Sequence, residues 1–221
     1  MGDPLSRYVR KTEALRQAMK ELQAVAAGPW VLSAFAETKK LPKRLNTLRI
    51  LVYEDTKWEL LADVFQSEEY QLCASPAGLM LCRESGDDII LELCRRKYLE
   101  QNGLSSLEAY AVWEASSTQD ACFMTWNRAV CLFPTLNFDR KYILLKRSDG
   151  KLDKKGLSNE VRRLQKSGYG AAMHVPDEFS APRKLGDDLC KVVDVGGQSS
   201  DGISCAAWTF SLETRRVPMP M

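Results

Sequence analysis

Apolar side chains in this chain change period several times, and each change marks an expected element. Leu5, Val9, Leu15, Met19, Leu22 and Ala26 recur at the three-to-four spacing of one helical face, with Thr12 in the single gap. Asp3 ahead of Pro4 is a helix start, because Asp caps free amides and Pro at the first position loses no hydrogen bond. A helix is therefore predicted over 4–26, stopped by Gly28-Pro29. Residues 30–37 then read as extended, Lys39-Lys40-Leu41-Pro42-Lys43-Arg44 as a basic loop, and 48–53, rich in branched side chains, as a strand. Thr56 and Glu59 make a capping-box pattern beside Trp58, Leu61 and Phe65, which predicts a short helix.

Residues 70–82 and 89–94 flank the turn-forming Glu84-Ser85-Gly86-Asp87 and predict a hairpin. Residues 95–100 read as helical and close at Asn102-Gly103. Two extended runs, 109–115 and 121–133, surround the polar segment 116–120 and predict a second hairpin, and 142–146 is a further extended run ahead of Ser148-Asp149-Gly150. Ser158 opens a basic helix carrying Arg162, Arg163 and Lys166 to Gly168, while 171–175, 192–193 and 203–212 are short strands. The expected class is α+β with a mostly antiparallel sheet. With 221 residues and no Pro/Ser/Gly-rich linker, one domain over 1–221 is expected.

Charge changes this picture locally. Residues 1–50 carry ten basic side chains against four acidic ones, an excess of +6 that leaves −4 for the rest. Such an excess is either a solvated face or an attraction for an anionic partner, nucleic acid or acidic lipid. No apolar leader follows Met1-Gly2-Asp3-Pro4, and no apolar run approaches the length of a membrane-spanning helix, so a cytoplasmic start is expected. The seven cysteines are odd in number, sit mostly in apolar runs and lack zinc-site spacing, so they read as buried structural thiols.

Candidate catalysis is sparse. His174 is the only histidine, it falls in an apolar segment, and it reads as structural. Gly196-Gly197 lacks the span and the Lys-Ser/Thr ending of a phosphate loop. The adjacent pairs Asp87-Asp88 and Asp187-Asp188 diverge on an extended chain and make no metal site by themselves. No catalytic residue, metal site or cofactor is therefore expected, and the chain reads as one that binds and assembles.

Four segments, in order, resemble the pore-forming domain of gasdermins. They are the basic amphipathic start through Arg7, Val9-Arg10 and Leu15; Trp30-Val31-Leu32 with the basic loop, 48–53 and Trp58-Glu59-Leu60-Leu61; Arg95-Arg96-Lys97-Tyr98-Leu99 followed by Ala109-Tyr110-Ala111-Val112-Trp113-Glu114; and Ser204-Cys205-Ala206-Ala207-Trp208-Thr209-Phe210. Trp113 stands where that family usually has Thr, and 147–194 matches no part of it. The likeness is greatest to the single-domain gasdermin-like regulators of cell death in filamentous fungi, so no C-terminal repressor domain is expected. It implies that Arg7, Arg10, Lys11, Arg16, Lys20, Lys39, Lys40, Lys43 and Arg44 contact acidic phospholipid. It also implies that two hairpins insert, carrying Tyr70, Leu72, Leu79, Leu81, Ile89 and Leu91 in the first and Tyr110, Val112, Phe123, Trp126, Val130 and Leu132 in the second. The implied partners are acidic phospholipids and further copies or allelic variants of the chain in a large ring. The implied outcome is permeabilisation of the plasma membrane in cell death of the heterokaryon-incompatibility type, from a cytoplasmic inactive form. Nucleic acid, or a peripheral membrane contact without a pore, is the alternative reading of the same basic surface.

Overall fold

The computed structural model describes residues 3–35, 47–75, 78–83, 88–145, 154–179, 181, 183–184, 187–195 and 209–210. Asp3 caps the first turn as expected, accepting from the Leu5 amide at 2.9 Å, but that turn is a short 3-10 helix, Pro4–Arg7. The chain then restarts as α1, Thr12–Leu22, where the Lys11 amide donates to the Glu68 carboxylate instead of to a preceding turn. Gln23 closes α1 in the left-handed conformation (φ 52°), and Val25–Ala27, whose first two residues were expected in the last turn of the helix, forms β1. Pairing with a strand on either side outweighs the helix preference of these alanines. Pro29–Ala34, expected to be extended, is a second 3-10 helix with Pro29 at its start.

β2 (Leu48–Tyr53) and α2 (Glu59–Gln66) form where expected, although the Thr56 hydroxyl donates to the Tyr53 carbonyl and does not cap α2. The first expected hairpin is three antiparallel strands, β3 (Gln71–Ser75), β4 (Gly78–Cys82) and β5 (Asp88–Cys94). After α3 (Arg96–Gln101), Gly103 takes the left-handed conformation. The strand expected over 109–115 is instead α4, Leu107–Trp113, because the Ser106 side chain accepts from the Ala109 amide and starts a helix. Tyr110 and Val112, expected in an inserting hairpin, therefore lie on a helix. What is left of that hairpin is β6 (Cys122–Met124) and β7 (Arg128–Cys131), followed by α5 (Pro134–Phe138).

In the last third, β8 (Lys141–Tyr142) pairs in parallel with β9 (Gly170–Ala171), and α6 (Lys154–Lys166) between them begins ahead of the expected Ser158. Residues 172–175 are not strand, and His174 is exposed to solvent instead of packed. After a 3-10 turn at Asp177–Phe179 come β10 (Arg183–Lys184), β11 (Lys191–Asp194) and β12 (Thr209–Phe210), the last being the described part of the strand expected over 203–212.

Eight strands form one sheet in the order β11-β7-β6-β1-β2-β5-β4-β3. Every neighbouring pair is antiparallel except β2 and β5, which run parallel across the longest register of the sheet. Alternation along the strands divides the core in two. Ala26, Ile50, Val52, Leu91 and Met124 face one layer, made by the first two 3-10 helices, α1 and α2. Val25, Leu51, Tyr53, Phe123 and Val130 face the other, made by α3, α4 and α5. The chain is α+β, with a large mixed, mostly antiparallel sheet between two helical layers.

Most residues expected to insert into lipid are in this core: Tyr70, Leu81, Ile89, Leu91, Phe123, Val130 and Leu132 are buried, and Leu79 packs against them. Leu72 is the exception, at 47% exposed. The strands β3, β4, β5, β6 and β7 have five, five, seven, three and four residues. A tilted membrane strand needs about 9–11. No helix among the described residues is long and apolar enough to cross a membrane.

One polar contact fastens the first layer to the sheet. Arg16 of α1, 3% exposed, is held by Asp3 through Nη2–Oδ1 at 2.7 Å and Nε–Oδ2 at 3.1 Å, and its Nη1 donates to the Trp126 carbonyl in the turn between β6 and β7. This corrects its assignment to the lipid-binding residues, since the guanidinium is consumed inside the protein. Arg16→Ala should lower unfolding free energy by about 3 kcal/mol, because it removes the charge partner of Asp3 and the donor to the Trp126 carbonyl. Urea titration measures this, and a change within about 0.5 kcal/mol, the range of an ordinary surface substitution, contradicts it.

Candidate ligand groove

The nine basic residues expected to meet lipid do not all share one fate. Arg7, Arg10 and Lys11 are exposed near the N-terminus, and Arg16 is buried. Lys39, Lys40, Lys43 and Arg44 lie outside the described residues. Lys20 borders a cavity, and it does so because Arg16, one helical turn earlier, is tied to the Trp126 carbonyl. The Lys20 ammonium consequently stands over the Trp126 indole, 4.5 Å from the ring centroid.

That cavity holds about 410 Å³ and lies between the C-terminal half of α1, the end of β2, the starts of α3 and α4, and the β6–β7 turn. Across from Lys20, the Arg96 guanidinium covers the Tyr53 ring at 3.6 Å from its centroid and engages Asp55 through Nε at 2.9 Å. Tyr53 is placed here as the last residue of β2, and Arg96 as the first residue of α3 directly after β5. The two parallel strands therefore deliver a ring and a cation to the same edge of the sheet. Burial pushes the Tyr53 hydroxyl pKa up, and the charge of Arg96 offsets part of that rise.

The third wall is the turn from Thr125 to Arg128. Thr125 Oγ1 donates to Asn127 Oδ1 at 3.0 Å and accepts from the Arg128 amide at 3.2 Å, while the Thr125 amide donates to the Arg128 carbonyl at 2.8 Å. The Asn127 carbonyl accepts from the Val195 amide at 2.8 Å, and Arg128 Nε reaches Asp194 at 3.3 Å. This turn is fixed from inside and from the neighbouring strand, so Trp126 and Arg128 are presented in set positions.

Three cations, two aromatic rings and the carboxylate of Glu108 thus line one groove. The carboxylate partners of two of the cations are open to water: Asp55 is 62% and Asp194 73% exposed. Such pairs contribute roughly 0–1 kcal/mol, so an incoming anion displaces them at small cost. The arrangement suits capture of an anionic group by preset cations, with Glu108 available to accept from a donor on the same ligand. Its size falls within the range of about 300–1,000 Å³ of small-molecule sites. Among the described residues, no group of three or more His, Cys, Asp or Glu is placed to hold a metal ion.

Tyr53, Arg96, Glu108 and Arg128 were not expected at a site. Each comes from a different element, and the spacing between them in sequence carries no pattern that would join them. Two further charge clusters serve packing. Glu92 accepts from Arg49 Nε at 2.7 Å and from the Tyr110 hydroxyl at 2.7 Å, and Asp120 accepts from Arg163 and from the hydroxyls of Ser116 and Ser117. Burial, then the Glu92 charge, drives the Tyr110 pKa upward.

No known family profile, curated protein or solved structure matches this chain.

Behind Arg96 a shallower depression of about 310 Å³ is bordered by Cys94. Burial is the main cause pushing this thiol up to about 12, and nearby Glu92 adds to it. Cys94 should therefore stay unmodified when the native protein is treated with iodoacetamide at pH 8, because almost no thiolate is present. The half-buried Cys73, Cys82 and Cys190 should react ahead of it. Peptide mapping by mass spectrometry checks the order, and early alkylation of Cys94 contradicts it.

Proposed function

We propose that this chain is a binding protein, not an enzyme, and that its groove takes a small ligand carrying a phosphate group next to hydroxyl or amine donors. The observation that carries the proposal is that two cations, each stacked on an aromatic ring, face one groove: Lys20 on Trp126 and Arg96 on Tyr53. Stacking restricts long, otherwise mobile side chains before the ligand arrives, which lowers the entropy lost on binding. The guanidinium of Arg96 offers a planar fork of donors of the kind that matches phosphate, and only its Nε is used by Asp55.

Phosphate of this kind has two sources, a free phosphate ester or the headgroup of an acidic phospholipid. The second keeps the lipid contact that the gasdermin resemblance implies while placing it at Lys20 and Arg96, away from Arg16. Insertion of hairpins draws no support from strands of three to seven residues.

Calorimetric titration with O-phosphoserine and with inorganic phosphate, together with co-sedimentation on phosphatidylserine vesicles, separates the sources. Binding of O-phosphoserine is expected, weakened about tenfold by Lys20→Ala or Arg96→Ala and unchanged by Arg10→Ala, since loss of one charge-assisted contact is worth about 1.5 kcal/mol. Co-sedimentation that shares this sensitivity assigns the lipid source. Absence of binding to all three probes overturns the proposal, as does binding that depends on Arg10 and not on Lys20 or Arg96.

A further inference from the structure

Beneath the β6–β7 turn, on the face covered by the second 3-10 helix, Cys122 and Cys131 stand directly opposite each other. The Leu132 amide donates to the Ala121 carbonyl and the Thr125 amide to the Arg128 carbonyl, so hydrogen-bonded pairs fall at 121/132, 123/130 and 125/128. Cys122 and Cys131 are consequently a non-hydrogen-bonded pair, the class in which opposed Cα atoms come to roughly 4.5 Å and side chains lie nearest. Disulfides usually join Cα atoms about 4.4–6.8 Å apart, a range that includes this spacing. Both sulfurs face the same donor: Asn137 Nδ2 contacts Cys131 Sγ at 3.2 Å and Cys122 Sγ at 3.5 Å.

We infer that Cys122 and Cys131 are a dithiol that closes to an intramolecular disulfide under peroxide, clasping the hairpin whose turn carries Trp126 and Arg128. Cys131, whose sulfur lies nearer the Asn137 amide donor, is the attacking sulfur. Burial raises its pKa, but donors from Cys122, Asn137 and the Phe133 backbone outweigh that and bring it down, whereas burial drives Cys122 up. The Cys131 thiolate takes an oxygen from hydrogen peroxide to give a sulfenic acid, releasing hydroxide. Cys122 sulfur then attacks the sulfenic sulfur, the S–S bond forms, the second oxygen leaves as hydroxide, and the two thiol protons convert both hydroxides to water. The two cysteines lose two electrons and one peroxide gains them. Both thiols are at most 1% exposed, so the reaction is paced by local opening of the hairpin. None of this depends on the groove binding phosphate.

The test treats the full chain with hydrogen peroxide, blocks remaining thiols after unfolding, and maps peptides without reduction. The expected product is a Cys122–Cys131 crosslink with an intact mass lower by two hydrogens. Its Tm should be several degrees above that of the reduced chain, and dithiothreitol should reverse the shift, since a crosslink restricts the unfolded state. In Cys122→Ser the crosslink should vanish and Cys131 should instead be captured as the sulfenic acid by dimedone, which also shows the order of attack. Both cysteines still open to alkylation after peroxide, or linked to any of the other five cysteines instead of each other, would overturn the inference, and the wild-type map decides this even if the variant fails to fold.

Discussion

A buried guanidinium requires partners for its charge and its donors, and this requirement organises one side of the molecule. Arg16 meets it with the Asp3 carboxylate and the Trp126 carbonyl, groups separated in sequence by most of the sheet. Removing either partner would leave charge inside the protein, a penalty of several kcal/mol, so the start of the chain, α1 and the β6–β7 turn are held together as a unit. The position of Lys20 over Trp126 follows from it, because a residue one turn along the same helix is carried to the same indole. The geometry of the groove and the folding of the N-terminal layer are thereby linked through a single side chain.

The sheet supplies the opposite wall by a different rule. β2 and β5 run parallel, so their C-terminal ends emerge side by side, and the residues that follow them, Asp55 and Arg96, meet over the Tyr53 ring. Crevices beyond the carboxyl ends of parallel strands are common ligand sites for this reason, and here the neighbouring antiparallel turn closes the third side. The same sheet is covered on both faces, which places the apolar residues of β4, β5, β6 and β7 in the two core layers. Membrane insertion of those strands would require α4 to unwind, the strands to lengthen and both core layers to open. Contact with a phosphate headgroup at the groove requires none of these.

The parts of the fold that could be read from sequence were those fixed locally. Branched residues at 48–53 give β2, Thr56 to Phe65 give a helix, and Gly103 and Gly168 end helices in the left-handed conformation. Alternation and helical spacing were both compatible with Ala109-Tyr110-Ala111-Val112, and the decision lay just upstream, where Ser105 and Ser106 precede Glu108 in the order of a helix start. Val25 and Ala26 read as the end of a helix and became strand because both neighbouring strands pair with β1. Arg16 flanks the apolar stripe of α1 beside Leu15 and Met19, and nothing near it in sequence announces a carbonyl arriving from residue 126. The groove was illegible for the same reason. Lys20 was expected to bind an anion, whereas Tyr53, Arg96, Glu108 and Arg128 acquire a shared role only through the sheet order.

In the proposed function, preset cations at the junction of α1, the β2–β5 edge and the β6–β7 turn form the anion-binding surface. Amide chemical-shift mapping of the full chain during titration with O-phosphoserine tests it most directly. Saturable shifts centred on Gln23, Arg96, Asn127 and the Trp126 indole are expected, with Arg7 and Arg10 unmoved. Shifts confined to the exposed basic residues at the N-terminus, or none at the groove at saturation, would contradict it.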